Sequence, residues 1–398
     1  MFKETVIVSM ARTAVGSFGG SLKSKSAVDL GIVAVKEALR RAGLNGQEVD
    51  EVVYGCVGQY GLNVFISRLV SLGAGIRQEA SAQTVNRMCA SGLQAIITGA
   101  SLIENGDAEV VVAGGAESMS NYPYTLQDAR WGMRMGMTPT AMLDSLQTAL
   151  CEPTAGEKTH IAITAENIAS RYGMTREELD AYALESQNRA AKAIAEGKFK
   201  EEIVPVEIKT KKETLIFDTD EHPRATSMEK LAKLRPLFKE DGLVTAGNAS
   251  GVNDAGAALV LMSRRKAEEL GVKPIARLVD FATAGVDPHY MGMGPVAATT
   301  KLFQKSGLGL NDIGLAELNE AFASQALACI REIGIDPDIC NVNGSGISLG
   351  HPVGATGAII SIKLISEMRR RNIRYGLASL CIGGGQGMSA IYENLSQQ

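Results

Sequence analysis

A pattern of apolar strands and helices that is written twice along the chain predicts an α/β protein made of two similar halves with an insert between them. Three pairs of segments, in the same order in each half, carry that reading. GLNGQEVDEVVYGCV (43–57) and GLGLNDIGLAELNEAF (307–322) share a turn, an acidic helix start and an apolar run that reads as a buried strand. QTVNRMCASGLQAII (83–97) and CNVNGSGISLGHPVGATGAII (340–360) both read as strand, small-residue loop and helix. DAEVVVAGGAESMS (107–120) and RYGLASLCIGGGQGMSA (374–390) read as apolar strand, glycine loop and Met-Ser. Ordered self-similarity of this kind signals duplication, and strands alternating with helices imply βαβ units and mostly parallel sheets.

Taken in order, the chain enters a strand-like run at once, at Thr5–Val8, which leaves no room for a leader peptide. A helix follows between Ser26 and Gly43. Ser26 caps it, Asp29 completes a capping box, and Val28, Ile32, Val35 and Leu39 form an apolar stripe. Another helix follows Cys89, with Leu93, Ile96, Ile97, Ala100 and Ile103 at helical spacing, ending at Asn105–Gly106. The expected organisation is an N-terminal half over 1–120 that resumes at about 250–270, a loop or lid domain over 121–249, and a C-terminal half over 270–398. The insert is methionine-rich around 131–142 and then charged, and a Thr175/Glu178 capping box opens a helix that ends at Gly197.

Composition narrows the function. The 43 glycines in 398 residues exceed the usual share of about 7%, so many positions need tight turns or close backbone approach. A formal net charge of −4 argues against a nucleic-acid or anionic-membrane surface. No apolar run approaches the ~18 residues of a membrane span. Six scattered cysteines without a CxxC pair fit reduced thiols in a cytoplasm, and four histidines without metal-ligand spacing make no zinc site.

Three glycine-rich contexts carry the chemistry: VNRMCASGLQA around Cys89, LGHPVGATG around His351 and LCIGGGQG around Cys381. A cysteine at a helix N-terminus feels the positive end of the dipole, which favours the nucleophilic thiolate. The competing reading of Cys89 is a buried small hydrophobe, which Cys56, Cys151, Cys329 and Cys340 keep. His351 sits before a small-residue helix and can take a thiol proton; a loop histidine without a role is its alternative. The N–H groups of Gly383–Gly385 after Cys381 can form an oxyanion hole or simply a tight turn. Two thiols and a histidine at matching points of a duplicated fold point to acyl transfer through a thioester.

At this point the chain resembles the thiolases, the acetyl-CoA acetyltransferase family. The likeness runs from VSMARTAVGSFGG (8–20) through GGAESMSNYPY (114–124), TAENIA (164–169), LRPLF (234–238), VTAGNASGVNDAGAA (244–258) and NEAF (319–322) to the His351 and Cys381 motifs. The resemblance implies the thiolase fold, duplicated βαβαβαββ halves packed face to face in a layered α/β/α/β/α core with an inserted loop domain. It implies reversible Claisen condensation of two acetyl-CoA to acetoacetyl-CoA and CoA. Carried over residue by residue, Cys89 is the acylated nucleophile, His351 its activator and Cys381 the group that moves the α-proton. Asn319 belongs to one oxyanion hole, and the N–H groups of Cys89 and Gly383 form the second. Ser250 corresponds to a pantetheine contact and Arg224 to a residue near the adenine, while His160, Ile161, Met291 and Phe322 correspond to other substrate contacts. The family needs no cofactor beyond its CoA thioester substrates, works as a homodimer or homotetramer, and binds acetyl-CoA, CoA and 3-ketoacyl-CoA.

The chain departs from the family pattern at His160-Ile161-Ala162 (usually His-Met-Gly), at NVFISR (63–68; usually GQNPAR), at NGSGISLGHP (343–352) and at GPVAA (294–298). Ile161 replaces the methionine of the acyl pocket, which favours a wider range of chain lengths. The alternatives are thus a 3-ketoacyl-CoA thiolase of broader range and a non-catalytic acyl-CoA-binding protein. A β-ketoacyl synthase or hydroxymethylglutaryl-CoA synthase is discounted, because Asn319 stands where a ketoacyl synthase has a second histidine.

Overall fold

The structure is a computed structural model, and it describes residues 2, 4–133, 135, 141–152, 154 and 159–396. Nine strands form its backbone: β1 (Thr5–Thr13), β2 (Glu51–Gly55), β3 (Ser81–Val85), β4 (Val110–Ser118), β5 (Asn253–Ser263), β6 (Ala276–Gly285), β7 (Leu315–Leu318), β8 (Tyr375–Ile382) and β9 (Gln386–Asn394). They pair in the order β7-β8-β9-β6-β1-β5-β4-β2-β3. The first half reads β1-β5-β4-β2-β3 and the second β6-β9-β8-β7, joined where Ile7 pairs with Ala276 and the Phe2 N–H donates to the Val279 carbonyl. In place of a fifth strand the second half has a single parallel bridge between Ala316 and Cys340. The duplication seen in the sequence is therefore a duplication of topology.

Two expectations change. The sheets are mixed rather than mostly parallel. The β1-β5-β4 and β6-β9-β8 runs are antiparallel, whereas β4-β2-β3, β8-β7 and a short pairing of β1 with Ile203–Val204 are parallel. Periodicity reports burial and not direction, so strands buried on both faces read alike either way. Gly114 and Gly115 also lie inside β4, not in a loop. A Cβ on Gly114 would stand 2.0 Å from the carbonyl oxygen of Ala257, and one on Gly115 2.1 Å from that of Gly354. Glycine is required there by a neighbouring backbone.

The helices that bear on the site are α1 (Ala27–Ala42), α2 (Ile66–Gly73), α3 (Ser91–Asn105), α4 (Ser145–Ala149), α5 (Ile161–Arg171), α6 (Arg176–Ala195), α7 (Gly294–Ser306), α8 (Ala323–Ile333) and α9 (Val353–Arg371). Helix α1 has the expected Ser26/Asp29 capping box and closes on Gly43 at φ +73°. Its buried stripe is wider than expected: Leu30, Ala34, Val35, Ala38 and Leu39 go fully inside, and Val28 and Ile32 stay half-buried at the edge. Thr175 caps α6 by accepting from the Glu178 N–H at 3.2 Å. No return bond from Glu178 is present, because its carboxylate is turned to Arg331.

Alternation along the strands builds the layers. On β5, Ala255, Ala257, Leu259 and Leu261 face a central cluster with α3 and α9, whereas Ala258, Val260 and Met262 face the cluster that contains α1 and α2. On the second half, Leu380, Ile382, Met388 and Tyr392 face the central cluster. Val279, Leu318, Leu377 and Ile391 face outward onto α7 and α8. The order is helix, sheet, helix pair, sheet, helix, with α3 and α9 in the middle.

These two helices come from different halves and touch backbone to backbone. A Cβ on Gly92 would lie 2.7 Å from the amide nitrogen of Ala358, and one on Gly357 2.4 Å from that of Leu93. Gly357→Ala is therefore expected to destabilise the protein by about 1–3 kcal/mol or more, as overpacking does. Gly106→Ala (φ +80°, nothing within 4 Å) tests backbone strain alone and is expected to cost about 1 kcal/mol. Denaturant unfolding of both variants checks this; equal losses would mean that the close contact is not the constraint.

Candidate active site

Cys89 lies one residue before the N-cap of α3, after a turn in which Met88 takes a left-handed backbone (φ 45°). That turn places the thiol at the end of the central helix pair, facing a cavity of 460 Å³. His351 enters from the other half, two residues before α9. Cys381, near the end of β8, and Gly383, in the following turn, complete the cluster at the cavity wall. Four catalytic candidates from three distant segments thus share one chamber.

The histidine is set up as a base. Its backbone N–H donates to Asn253 Oδ1 at 2.9 Å, and the ring Nδ1 is 2.7 Å from Thr356 Oγ1. The Thr356 hydroxyl donates its own hydrogen to the Pro352 carbonyl at 2.9 Å, so it can only accept from Nδ1. Nδ1 therefore carries the ring proton and Nε2 keeps its lone pair, with no partner among the described residues. Burial pushes the histidine down to about 4, so the neutral base persists at physiological pH.

The thiols correct one expectation. Cys89 is not held as a thiolate by the helix dipole: burial pushes it up to about 11, against the N–H groups of Gly383 and of Cys89 itself, which point at Sγ and oppose the rise. Burial likewise raises Cys381 well above the ordinary thiol, with the nearby Cys89 and Cys329 thiols adding to it. Both are thiols until a base acts. The N–H groups that oppose the rise belong to Cys89 and Gly383, the two residues expected to form an oxyanion hole.

Asn319 does not line the cavity. It sits behind the wall, fully buried, with its N–H on the Ser379 carbonyl at 2.9 Å and neither Oδ1 nor Nδ2 partnered among the described residues. Buried amides without partners are rare, and this one sits at the position expected to be functional. Ser345 and Ser348, two of the departures from the family pattern, brace this corner through the Leu318 carbonyl and Ser186.

The substrate-contact candidates also meet at the cavity. Ser250 is held there by its N–H on the Ala321 carbonyl, with Phe322 and Met291 buried beside it. His160 caps α5 by accepting from the Ala162 N–H at 3.1 Å and stacks on Phe238, ring centroids 4.2 Å apart. Ile161, the first residue of α5, turns a half-buried side chain to the same space. Arg224 stands exposed at the wall, its N–H on Gln187. Part of the methionine-rich segment (134 and 136–140) lies outside the described residues.

Sequence reasoning missed several residues. Asn253 and Thr356 fix the histidine; Val57, Met88, Leu146 and Leu150 supply apolar wall. His222, pushed down to about 4 chiefly by burial, lies in the wall with Nδ1 unpartnered among the described residues. Glu152, buried in the insert, accepts from the Gly384 N–H beside the oxyanion pair. Each acts through a partner far away in sequence. Only the position of Thr356, five residues after His351, offered a local signal.

Family models describe the whole arrangement. Residues 5–265 match the thiolase N-terminal domain and residues 272–394 the thiolase C-terminal domain. The chain is 48% identical to an acetyl-CoA acetyltransferase of Syntrophomonas wolfei over 398 residues, covering 99% of this chain and 100% of the relative. It is 49% identical to beta-ketothiolase BktB of Cupriavidus necator with the same coverage. The crystal structure of human mitochondrial 3-ketoacyl-CoA thiolase in complex with CoA superposes with a TM-score of 0.94 at 41% identity, covering 99% of this chain and 98% of that one.

Proposed function

The chain belongs to the thiolase family, and we propose that it is an acetyl-CoA acetyltransferase that cleaves and forms short 3-ketoacyl-CoA thioesters through an acyl-Cys89 intermediate. The observation that carries the reading is a neutral histidine base meeting two buried thiols and a pair of backbone donors in one chamber. CoA and its acetyl and 3-ketoacyl thioesters are the substrates, and no further cofactor enters the chemistry.

With both thiols protonated at the outset, thiolysis balances without any external base. His351 Nε2 takes the Cys89 proton, and Sγ attacks the 3-keto carbon of acetoacetyl-CoA while its oxygen gathers negative charge. Collapse restores the carbonyl as the acetyl thioester on Cys89 and breaks the C2–C3 bond. The enolate of acetyl-CoA takes the Cys381 proton, and the imidazolium returns a proton to Cys381. Incoming CoA then gives its proton to His351 and attacks the acetyl group, expelling Cys89, which recovers that proton. Condensation is the reverse. The N–H groups of Cys89 and Gly383 stabilise one oxyanion, and protonated His351 with a water held by Asn319 the other.

Cys89→Ser is expected to abolish acyl-enzyme formation with acetyl-CoA and to lower thiolysis at least about a thousandfold. Intact-protein and peptide mass spectrometry check it; an acetyl group found on Cys381 in the wild type would reverse the roles.

Ile161 sets the acyl range. It is stiff at Cβ, and its position is fixed by its N–H on the Leu150 carbonyl at 2.9 Å. Against Leu146 and Leu150 it shapes a wall that a methionine would fill adaptively. A fitted methylene is worth about 1–3 kcal/mol, so kcat/KM from acetoacetyl-CoA through 3-ketovaleryl-CoA to 3-ketohexanoyl-CoA should fall about tenfold less in wild type than in Ile161→Met. Parallel declines would show that the substitution merely repacks.

We also propose a homodimer that pairs into a homotetramer and works in the cytoplasm. β3 is an edge strand, and beside it Leu62 and Phe65 are 72% and 63% exposed. Trp131, Met133 and Met142 are a second exposed apolar group, in the insert. No described helix is long and apolar enough to cross a membrane. Light scattering at assay concentration is expected to give a dimer or tetramer, and a fully active monomer would remove the claim.

A further inference from the structure

Glu117, at the end of β4, is fully buried and has no cationic partner among the described residues. Five donors converge on it instead. Oε2 accepts from the N–H groups of Val57 and Gly354, each at 2.9 Å. Oε1 accepts from the Gly58 N–H and the Tyr122 hydroxyl, each at 3.0 Å, and faces the Cys56 thiol at 3.6 Å. Burial raises the carboxyl above its ordinary value, but the three backbone N–H groups can only donate and, with the Tyr122 hydroxyl, they favour the carboxylate.

Its partners belong to both halves. Val57 forms cavity wall in the first, and Gly354 lies in the first turn of α9, three residues after His351. Gly354 must be glycine, because a Cβ there would lie 2.5 Å from Glu117 Oε2. We propose that Glu117 is a positioning residue of the thiolase site, holding the Val57–Gly58 wall and the start of α9 in register with Cys89 and supplying the fixed negative charge against which Cys89 ionises. After burial, that charge is a further cause that raises the Cys89 thiol. The other titratable groups facing the pair are His351, Cys381, Cys56 and Tyr122, with Tyr60 edge-on to Tyr122 at 5.6 Å between centroids. A fixed anion near the nucleophile keeps the thiol protonated until substrate and His351 act together.

The proposal rests on the thiolase reading for turnover, but its deciding measurement does not. The rate of Cys89 alkylation by iodoacetamide is followed against pH, with the modified peptide identified by mass spectrometry. Glu117→Gln removes the charge and turns an amide NH₂ toward opposing donors. Its alkylation midpoint is expected to fall by about half a pH unit or more. Its kcat for acetoacetyl-CoA thiolysis is expected to drop about tenfold or more, with KM within about threefold. Tyr122→Phe keeps the charge and takes away one donor, so its midpoint is expected to rise while kcat stays within about threefold. A wild-type midpoint in Glu117→Gln, whatever its turnover, overturns the proposal. Should Glu117→Gln not fold, Tyr122→Phe decides alone, and an unchanged or lowered midpoint overturns it. A wild type that alkylates as expected yet turns over no acetoacetyl-CoA would refute the thiolase reading instead.

Discussion

The backbone contact between α3 and α9 is the constraint on which the rest of the structure depends. Cys89 is delivered by the start of α3 and His351 by the start of α9, and the two helices come from different halves of the chain. Gly92 against Ala358 and Gly357 against Leu93 let the axes approach more closely than any Cβ would allow. Gly115 beneath the Gly354 carbonyl extends the same contact to β4. A methyl group at these positions would wedge the halves apart at the point where their side chains must meet. About an ångström of misplacement in such a site costs about a hundredfold in rate, so the glycines are part of its geometry although none of them touches substrate.

Burying the site settles its electrostatics. The helix dipole offers Cys89 about 0.3–1 kcal/mol of thiolate stabilisation. The net rise of the thiol from 9.0 to about 11 corresponds to roughly 3 kcal/mol in the opposite direction. Desolvation wins, and the same burial keeps His351 neutral. In the proposed reaction the site moves protons between neutral groups and stabilises charge with N–H donors where and when that charge forms. Fixed donors need no reorganisation, which suits groups as buried as these. An arginine or lysine on Cys89 would instead have made a standing thiolate, open to oxidation and alkylation in the absence of substrate.

The parts of this architecture that were legible in the sequence are those with local causes. The α1 capping box, the glycine ends of helices and the cysteine before α3 all depend on neighbours within a few residues. The duplication was legible because each half solves the same packing problem with the same strand and helix. Strand direction was not, since β1, β5 and β4 are apolar on both faces and such strands read alike in either direction. Gly114 and Gly115 read as a loop because the carbonyls that demand them, on Ala257 and Gly354, are more than 140 residues away. Glu117 and Asn253 were silent for the same reason. A carboxylate whose donors come from residues 56–58, 122 and 354 leaves no spacing to detect.

The chamber divides its labour between the duplicated core and the insert. Every group that moves a proton or holds an oxyanion is carried by the core, braced by sheet and central helices. The insert gives Leu146, Leu150, His160, Ile161 and Phe238, which are wall and not chemistry. It is joined to the core by the buried ion pairs of Arg12 with Glu202 and Asp220, by Ile203 and Val204 pairing with β1, and by an apolar cluster that Ile168 and Leu179 share with Ala323 and Ile347. A wall built on such elements can change its residues without moving the thiols. On the proposed reading, substitution at Ile161 changes which acyl chain fits, while Cys89, His351 and Cys381, fixed by contacts that reach across both halves, keep their places.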